Sequence, residues 1–198
     1  MNPITPLIPL QLVPALEVPL VGGVRWSLAE EHPPLFIMVV FYRGRHCTIC
    51  SRYLAELEQK LPQFQERGVS VIAISADSED RALKTKRDWK LEHLRIGYSL
   101  DFDVARQWGL YLSDGKYVTR TGFGEPPLFI EPALYLIHPD GRLYFGSVQT
   151  MPFARPHLDD VLYAIDFAVS KKFPGRGDVL DHRSLKLSEE REILHKQT

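Results

Sequence analysis

Three observations predict an α/β fold whose sheet is mixed and covered by helices. Leu35–Tyr42 and Val69–Ser75 are continuous apolar runs rich in β-branched and aromatic residues, the pattern of strands buried on both faces. Each is followed by a segment of helical character, and parallel strands need such crossovers. Late in the chain, Ala133–Ile137, the turn Pro139-Asp-Gly-Arg142 and Leu143–Val148 read as a hairpin, which must add antiparallel strands.

Taken in order, residues 1–15 are broken by Pro3, Pro6, Pro9 and Pro14 and read as an extended lead-in. Ala15–Val21, closed by Gly22-Gly23, reads as a short edge strand. After the strand Leu35–Tyr42, the segment Cys47–Arg67 repeats Ile49, Tyr53, Leu54, Leu57, Leu61 and Phe64 at three- to four-residue steps, an amphipathic helix with Pro62 near its end and Gly68 closing it. Asp77 or Ser78 caps a polar helix running to about Lys90. A shorter strand is expected at Ile96–Leu100, a brief helix around Val104–Trp108, and a long Gly/Pro-rich loop over 113–130. His157–Lys171 is the last amphipathic helix, built on Leu158, Val161, Leu162, Ile165 and Val169. The charged remainder, 173–198, is expected to fray, with a short helix at Ser188–Leu194. One domain over residues 16–172 accounts for the pattern.

The chain has 198 residues, and 24 Lys+Arg against 25 Asp+Glu give a net charge of −1. That balance argues against a nucleic-acid surface, and Lys84, Lys86, Arg87 and Lys90 read as a solvated helix face. No basic leader precedes Arg25 and no apolar run is long enough for a membrane span, so a soluble, cytoplasmic protein is expected. Gly122-Phe-Gly124 lacks the strand–turn–helix context of a dinucleotide fingerprint. Asp101 and Asp103 read as loop acids, and Arg176-Gly-Asp178 as a chance tripeptide.

The chemistry concentrates at Cys47-Thr-Ile-Cys50, where a buried strand hands over to a helix. The first helical turn presents free N–H groups and the positive dipole end, both of which stabilise a thiolate. Arg43, Arg45, His46 and Arg52 add cations, and one helical turn lets the two sulfurs meet. This order reads as a redox motif. Two other readings compete: a zinc site, which would have to recruit two of His32, His46, His93, His138 and His157, and a pair of inert core thiols.

Phe41–Cys50, Gly68–Asp77, Gly97–Asp101, Ala105–Gly109 and Pro132–Gly141 together resemble the peroxiredoxins of the alkyl hydroperoxide reductase/thiol-specific antioxidant family over roughly residues 16–170. The resemblance implies a thioredoxin-like three-layer sandwich with the cysteines at the N-terminus of the first main helix. The family's Pro, Thr and peroxide-attacking Cys fall on Arg43, Cys47 and Cys50, so CxxC replaces the usual Thr-x-x-Cys. The family's peroxide-polarising Arg has no clear match, since Glu131 and Pro132 stand about where it would fall. Under the thioredoxin pattern, Cys47 attacks, Cys50 resolves and Pro132 matches the cis-proline facing the disulfide.

Either pattern implies a Cys47/Cys50 dithiol–disulfide cycle acting on a hydroperoxide or a protein disulfide. It needs no metal or organic cofactor and draws on an external thiol reductant of thioredoxin or glutaredoxin kind; a homodimer is a further expectation. The rival class is a non-catalytic thioredoxin-fold sensor or binding module. Among neighbours, Glu131 reads as a proton relay, a carboxylate that raises a thiol pKa, or a solvated loop acid. His46 reads as a thiolate partner or general acid against an exposed loop histidine. Arg43 and Arg45 read as peroxide binders or thiolate partners against surface ion pairing. Met151-Pro-Phe-Ala-Arg-Pro156 is distinctive, and Arg155 is within reach of the site.

Overall fold

The computed structural model describes residues 4–116 and 124–181. In chain order its elements are β1 (Glu17–Pro19), β2 (Arg25–Ser27), β3 (Phe36–Phe41), α1 (Thr48–Glu66), β4 (Val69–Ile74), α2 (Glu79–Asp88) and β5 (Arg95–Gly97). They continue with α3 (Phe102–Gln107), β6 (Leu112–Asp114), β7 (Leu128–Ile130), β8 (Ala133–Ile137), β9 (Leu143–Val148) and α4 (Leu158–Lys171).

No residue of β3 is more than 2% exposed, because the strand is central and covered on both faces. The five-stranded sheet runs β5-β4-β3-β8-β9. Its β3–β4 and β4–β5 pairs are parallel, while β3–β8 and β8–β9 are antiparallel, as the crossover and hairpin patterns require. Alternation along β3 sorts the core into two layers. Phe36, Met38 and Val40 face Leu54, Leu57, Leu61 and Phe64 of α1 and Leu158, Val161, Leu162 and Ile165 of α4. Ile37, Val39 and Phe41 face Trp108 and Ala105, with Leu16, Val18 and Trp26 from the N-terminal region. Each fully buried Leu or Ile contributes roughly 1.5–3 kcal/mol, so these layers anchor the strand from which the cysteine loop departs.

Several elements differ from the expectation. Ala15–Val21 does not join the main sheet as a strand: Glu17–Pro19 folds back on Arg25–Ser27, with Gly22 and Gly23 both at positive φ in the turn. Only the isolated bridge Leu20–Gly97 ties this hairpin to β5. The strand expected at Ile96–Leu100 is shorter and earlier, Arg95–Gly97, since Ser99 turns to φ 53°. The helix expected around Val104–Trp108 starts at Phe102, where the Asp101 carboxylate accepts the backbone N–H groups of Asp103 and Val104. Asp101 is therefore a helix cap. The expected loop over 113–130 contains two short strands, β6 and β7, paired as an antiparallel ribbon, with Ser113 opposite Phe129.

The polar helix α2 ends at Asp88 with Ser78 in the cap position, while the Asp77 side chain accepts the Arg45 backbone N–H instead. Near the N-terminus, Leu10 and Gln11 exchange backbone hydrogen bonds with Leu143, and Val13 donates to Gly141. The helix expected at Ser188–Leu194 and the Gly122-Phe-Gly124 segment up to Phe123 lie outside the described residues.

Candidate functional site: the Cys47/Cys50 pair

Cys47 occupies the N-cap of α1 and accepts the backbone N–H of Cys50 on its sulfur at 3.2 Å. A sulfur thus takes the role that a Ser or Thr oxygen usually plays in satisfying an orphan helix donor. The chain reaches this point through Gly44, at φ 122°, where an added Cβ would meet the Asp77 carboxylate at 2.7 Å. Asp77 fixes the same turn by accepting the Arg45 N–H at 2.7 Å and the Arg81 guanidinium at 2.6 Å. The turn that presents Cys47 is therefore held by β4 and α2 as well as by α1.

The two thiols are unlike each other. Cys47 keeps 4% of its surface exposed, and Cys50 none. A hydrogen bond from the Cys50 thiol, resisted by burial and aided by the Cys50 backbone N–H and the charges of Arg155 and Arg43, brings the Cys47 pKa down to about 6. Burial pushes Cys50 well above the usual thiol range, and its interaction with Cys47 adds to that, against the pull of Arg155. Both effects favour Cys47 over Cys50 as the sulfur that ionises first.

Arg155 donates to the Cys50 sulfur at 2.8 Å. Its Nε donates to the Pro152 carbonyl at 3.0 Å, and its guanidinium lies 5.1 Å from the centre of the Tyr53 ring. The Tyr53 hydroxyl in turn donates to the Pro156 carbonyl, so a residue of α1 pins both sides of the 152–156 segment. Behind it, Tyr53, Pro132, Gln149, Arg155 and Pro156 help line a cavity of ≈ 10 Å³, room for about one water.

On the other side, Arg43 lies beneath the β6–β7 ribbon. It donates to Glu125 at 3.2 Å, stacks at 4.5 Å on Phe129, and its Nε stands 3.3 Å from Glu131 Oε2, an ion pair without hydrogen-bond alignment. The Glu131 carboxylate also accepts the Ser113 hydroxyl at 2.7 Å, and burial raises its pKa against the pull of Ser113 and Arg43. His46 is 1% exposed with its ring 4.7 Å from that of Phe129. Burial first, then Arg43 and Arg81, press its pKa down to about 4, so it is a neutral imidazole at physiological pH.

Of the sequence candidates, Cys47, Cys50, Arg43, His46 and Glu131 thus converge. Both His46 and Glu131 are buried, which sets aside the exposed-loop readings of each. Arg45 turns its guanidinium to Asp88 of α2 at 2.7 Å. Arg52 is exposed. Pro132 accepts the Gln149 N–H at 2.9 Å, and the described residues contain no cis peptide bond, so its match to the thioredoxin proline is one of position only. The zinc reading finds no group of three or more His, Cys, Asp and Glu residues able to hold a metal among the described residues.

Ser113, Glu125 and Phe129 were not singled out from sequence, because they lie in the Gly/Pro-rich stretch and meet Arg43 only through the fold. Five of the eight buried polar atoms without a hydrogen-bond partner among the described residues belong to this cluster: Arg43 Nε, both nitrogens of His46, Glu131 Oε2 and Arg155 Nη1.

A family model described as the AhpC/TSA family matches residues 10–145. The thiol-disulfide oxidoreductase ResA of Bacillus thuringiensis (strain Al Hakam) is 29% identical over 100 residues, covering 50% of this chain and 47% of that protein. ResA of Bacillus anthracis matches to the same extent, and the chain spans about half the length of these curated relatives. Among solved structures, peroxidoxin BcpB from Mycobacterium tuberculosis superposes with a TM-score of 0.64 at 17% identity, over 81% of this chain and 97% of that one. The reduced 2-Cys peroxiredoxin of Plasmodium vivax gives 0.67 at 16% identity, over 85% and 86%. At such identities the structures establish the shared fold, the mixed sheet with flanking helices expected of a thioredoxin-like sandwich.

Proposed function

Because the chain belongs to the AhpC/TSA family, we propose that it is a thiol-dependent oxidoreductase cycling Cys47 and Cys50 between dithiol and disulfide. The observation that carries this reading is the inequality of the two sulfurs: a thiolate-forming Cys47 at the helix N-cap, over a buried, proton-bearing Cys50. The family resemblance sets the peroxide-attacking position at Cys50, but complete burial and a raised pKa favour Cys47 as the nucleophile.

A hydroperoxide is the oxidant that best suits the site. Cys47 is almost closed off, and Arg155 Nη1 and the His46 ring, buried without hydrogen-bond partners, are at hand to hold peroxide oxygens. The Cys47 thiolate attacks the distal peroxide oxygen, the O–O bond breaks, and the alcohol or water leaves once protonated, giving a sulfenic acid. Cys50 then loses its proton, attacks the Cys47 sulfur, and hydroxide leaves as water with the disulfide formed. An external dithiol of thioredoxin or glutaredoxin kind takes the two oxidising equivalents.

The similarity to a thiol-disulfide oxidoreductase favours a second reading. There, Cys47 attacks a substrate disulfide, releases one thiolate, and Cys50 resolves the mixed disulfide to free the other. A Cys50→Ser variant separates the two. With hydrogen peroxide it should accumulate a sulfenic acid on Cys47 that a trapping reagent captures, detected by intact mass. If the trap captures nothing while the variant is retained as a mixed disulfide on a model disulfide, disulfide exchange is the activity.

A further inference from the structure

Arg43 is held by two carboxylates at once, Glu125 at 3.2 Å and Glu131 at 3.3 Å, on a single aromatic ring. All three acceptors come from the β6–β7 ribbon or its flanks, and each carboxylate side chain is at least nine-tenths buried. Two carboxylates on one guanidinium, all largely withdrawn from water, make the field of Arg43 sensitive to the charge on either acid, and low solvent access magnifies that dependence. Glu131 is the more enclosed of the two, at 5% side-chain exposure against 8%, and one of its oxygens has no hydrogen-bond donor.

We propose that Glu131 is a positioning residue of the dithiol site: with Glu125 it fixes the Arg43 guanidinium on Phe129, and its own charge offsets the cationic field that Arg43 and Arg155 exert on the Cys47 sulfur. The inference rests on the Cys47/Cys50 reading above. Among the described residues, the charged groups acting on Glu131 are Arg43 before α1, Glu125 before β7 and Arg155 before α4, with Ser113 of β6 as its hydroxyl donor. Both arginines also act on Cys47, so the carboxylate and the thiolate share the same two cations.

The sign follows directly. When Glu131 is protonated, its share of the opposing charge is gone and Cys47 ionises more readily. When Glu131 is ionised, part of that field is cancelled and the Cys47 thiolate is less stable but more basic, hence intrinsically more nucleophilic. Burial raises the Glu131 pKa, which moves this exchange toward the range in which Cys47 itself titrates.

The test is the pH dependence of Cys47 alkylation by iodoacetamide in a Cys50→Ser background, where one thiol is read and no turnover is required. Glu131→Gln keeps the shape and the ability to accept from Ser113 while removing the charge. It should move the half-reaction point down by roughly half a pH unit or more. Glu131→Asp should bring the point back toward that of the parent. Thermal unfolding of each variant reports any loss of fold independently.

A Glu131→Gln profile superimposable on the parent, or displaced upward, overturns the assignment. The two readings fail separately. An ordinary Cys47 profile in the wild-type protein, where the Cys50 thiol is present, contradicts the dithiol mechanism, whereas the Glu131 assignment stands or falls on the difference between the Cys50→Ser parent and its Glu131→Gln variant.

Discussion

Replacing Cys47 by serine is expected to lower the rate of oxidation of the reduced protein by at least about a thousandfold, because the thiolate is the reacting group and a hydroxyl is not ionised at neutral pH. The variant should still fold. Serine is a preferred N-cap residue, and its oxygen can accept the Cys50 backbone N–H that the sulfur accepts now. Stopped-flow Trp fluorescence with hydrogen peroxide, alongside a circular dichroism spectrum, separates lost chemistry from lost structure. Retention of fast oxidation in Cys47→Ser would transfer the nucleophile to Cys50.

The second large effect is expected at Arg155. Cys50 must shed its proton before it can attack, in surroundings that penalise a buried anion. The guanidinium 2.8 Å from its sulfur is the nearest compensation. Arg155→Met keeps much of the volume over Tyr53 but removes the cation, and should slow disulfide closure by roughly tenfold to a hundredfold. Its signature is accumulation of a Cys47 intermediate, sulfenic acid or mixed disulfide, in an intact-mass time course. Closure at the wild-type rate would show that Arg155 serves the loop and not the sulfur.

Much of the scaffold was legible in the sequence, because its signals are local and long. The β3 run is apolar at every position since both its faces are covered, and the repeat through Leu54, Leu57, Leu61 and Phe64 describes a helix that buries one face. The position of the cysteines between these two elements required only their order. The short pieces were not legible. β6 and β7 are three residues each, below the length at which alternation can be recognised, and they pair with each other across a loop that joins them.

The site was half legible for a related reason. Arg43 and Glu125 are 82 residues apart in sequence, and Arg155 meets Cys50 across 105. Residue types alone made Arg43, His46, Glu131 and Arg155 candidates. Their burial is what turns His46 into a neutral imidazole and Glu131 into a carboxylate of raised pKa, and burial is a property of the assembled fold. The sequence left two assignments of the sulfurs open, Cys50 attacking under the peroxiredoxin pattern and Cys47 under the thioredoxin pattern, since CxxC spacing alone does not say which thiol is enclosed.

The central claim is that one sulfur of the pair is a thiolate at neutral pH and the other is not. Its most direct test is iodoacetamide labelling of the reduced wild-type protein across the acid-to-alkaline range, with the modified cysteine identified by peptide mass. The account predicts labelling of Cys47 with a half-reaction point near pH 6, falling tenfold per pH unit below it, and no labelling of Cys50 in the folded protein. Labelling of Cys50 first, or a half-reaction point near the ordinary thiol value of about 8.5, would contradict it.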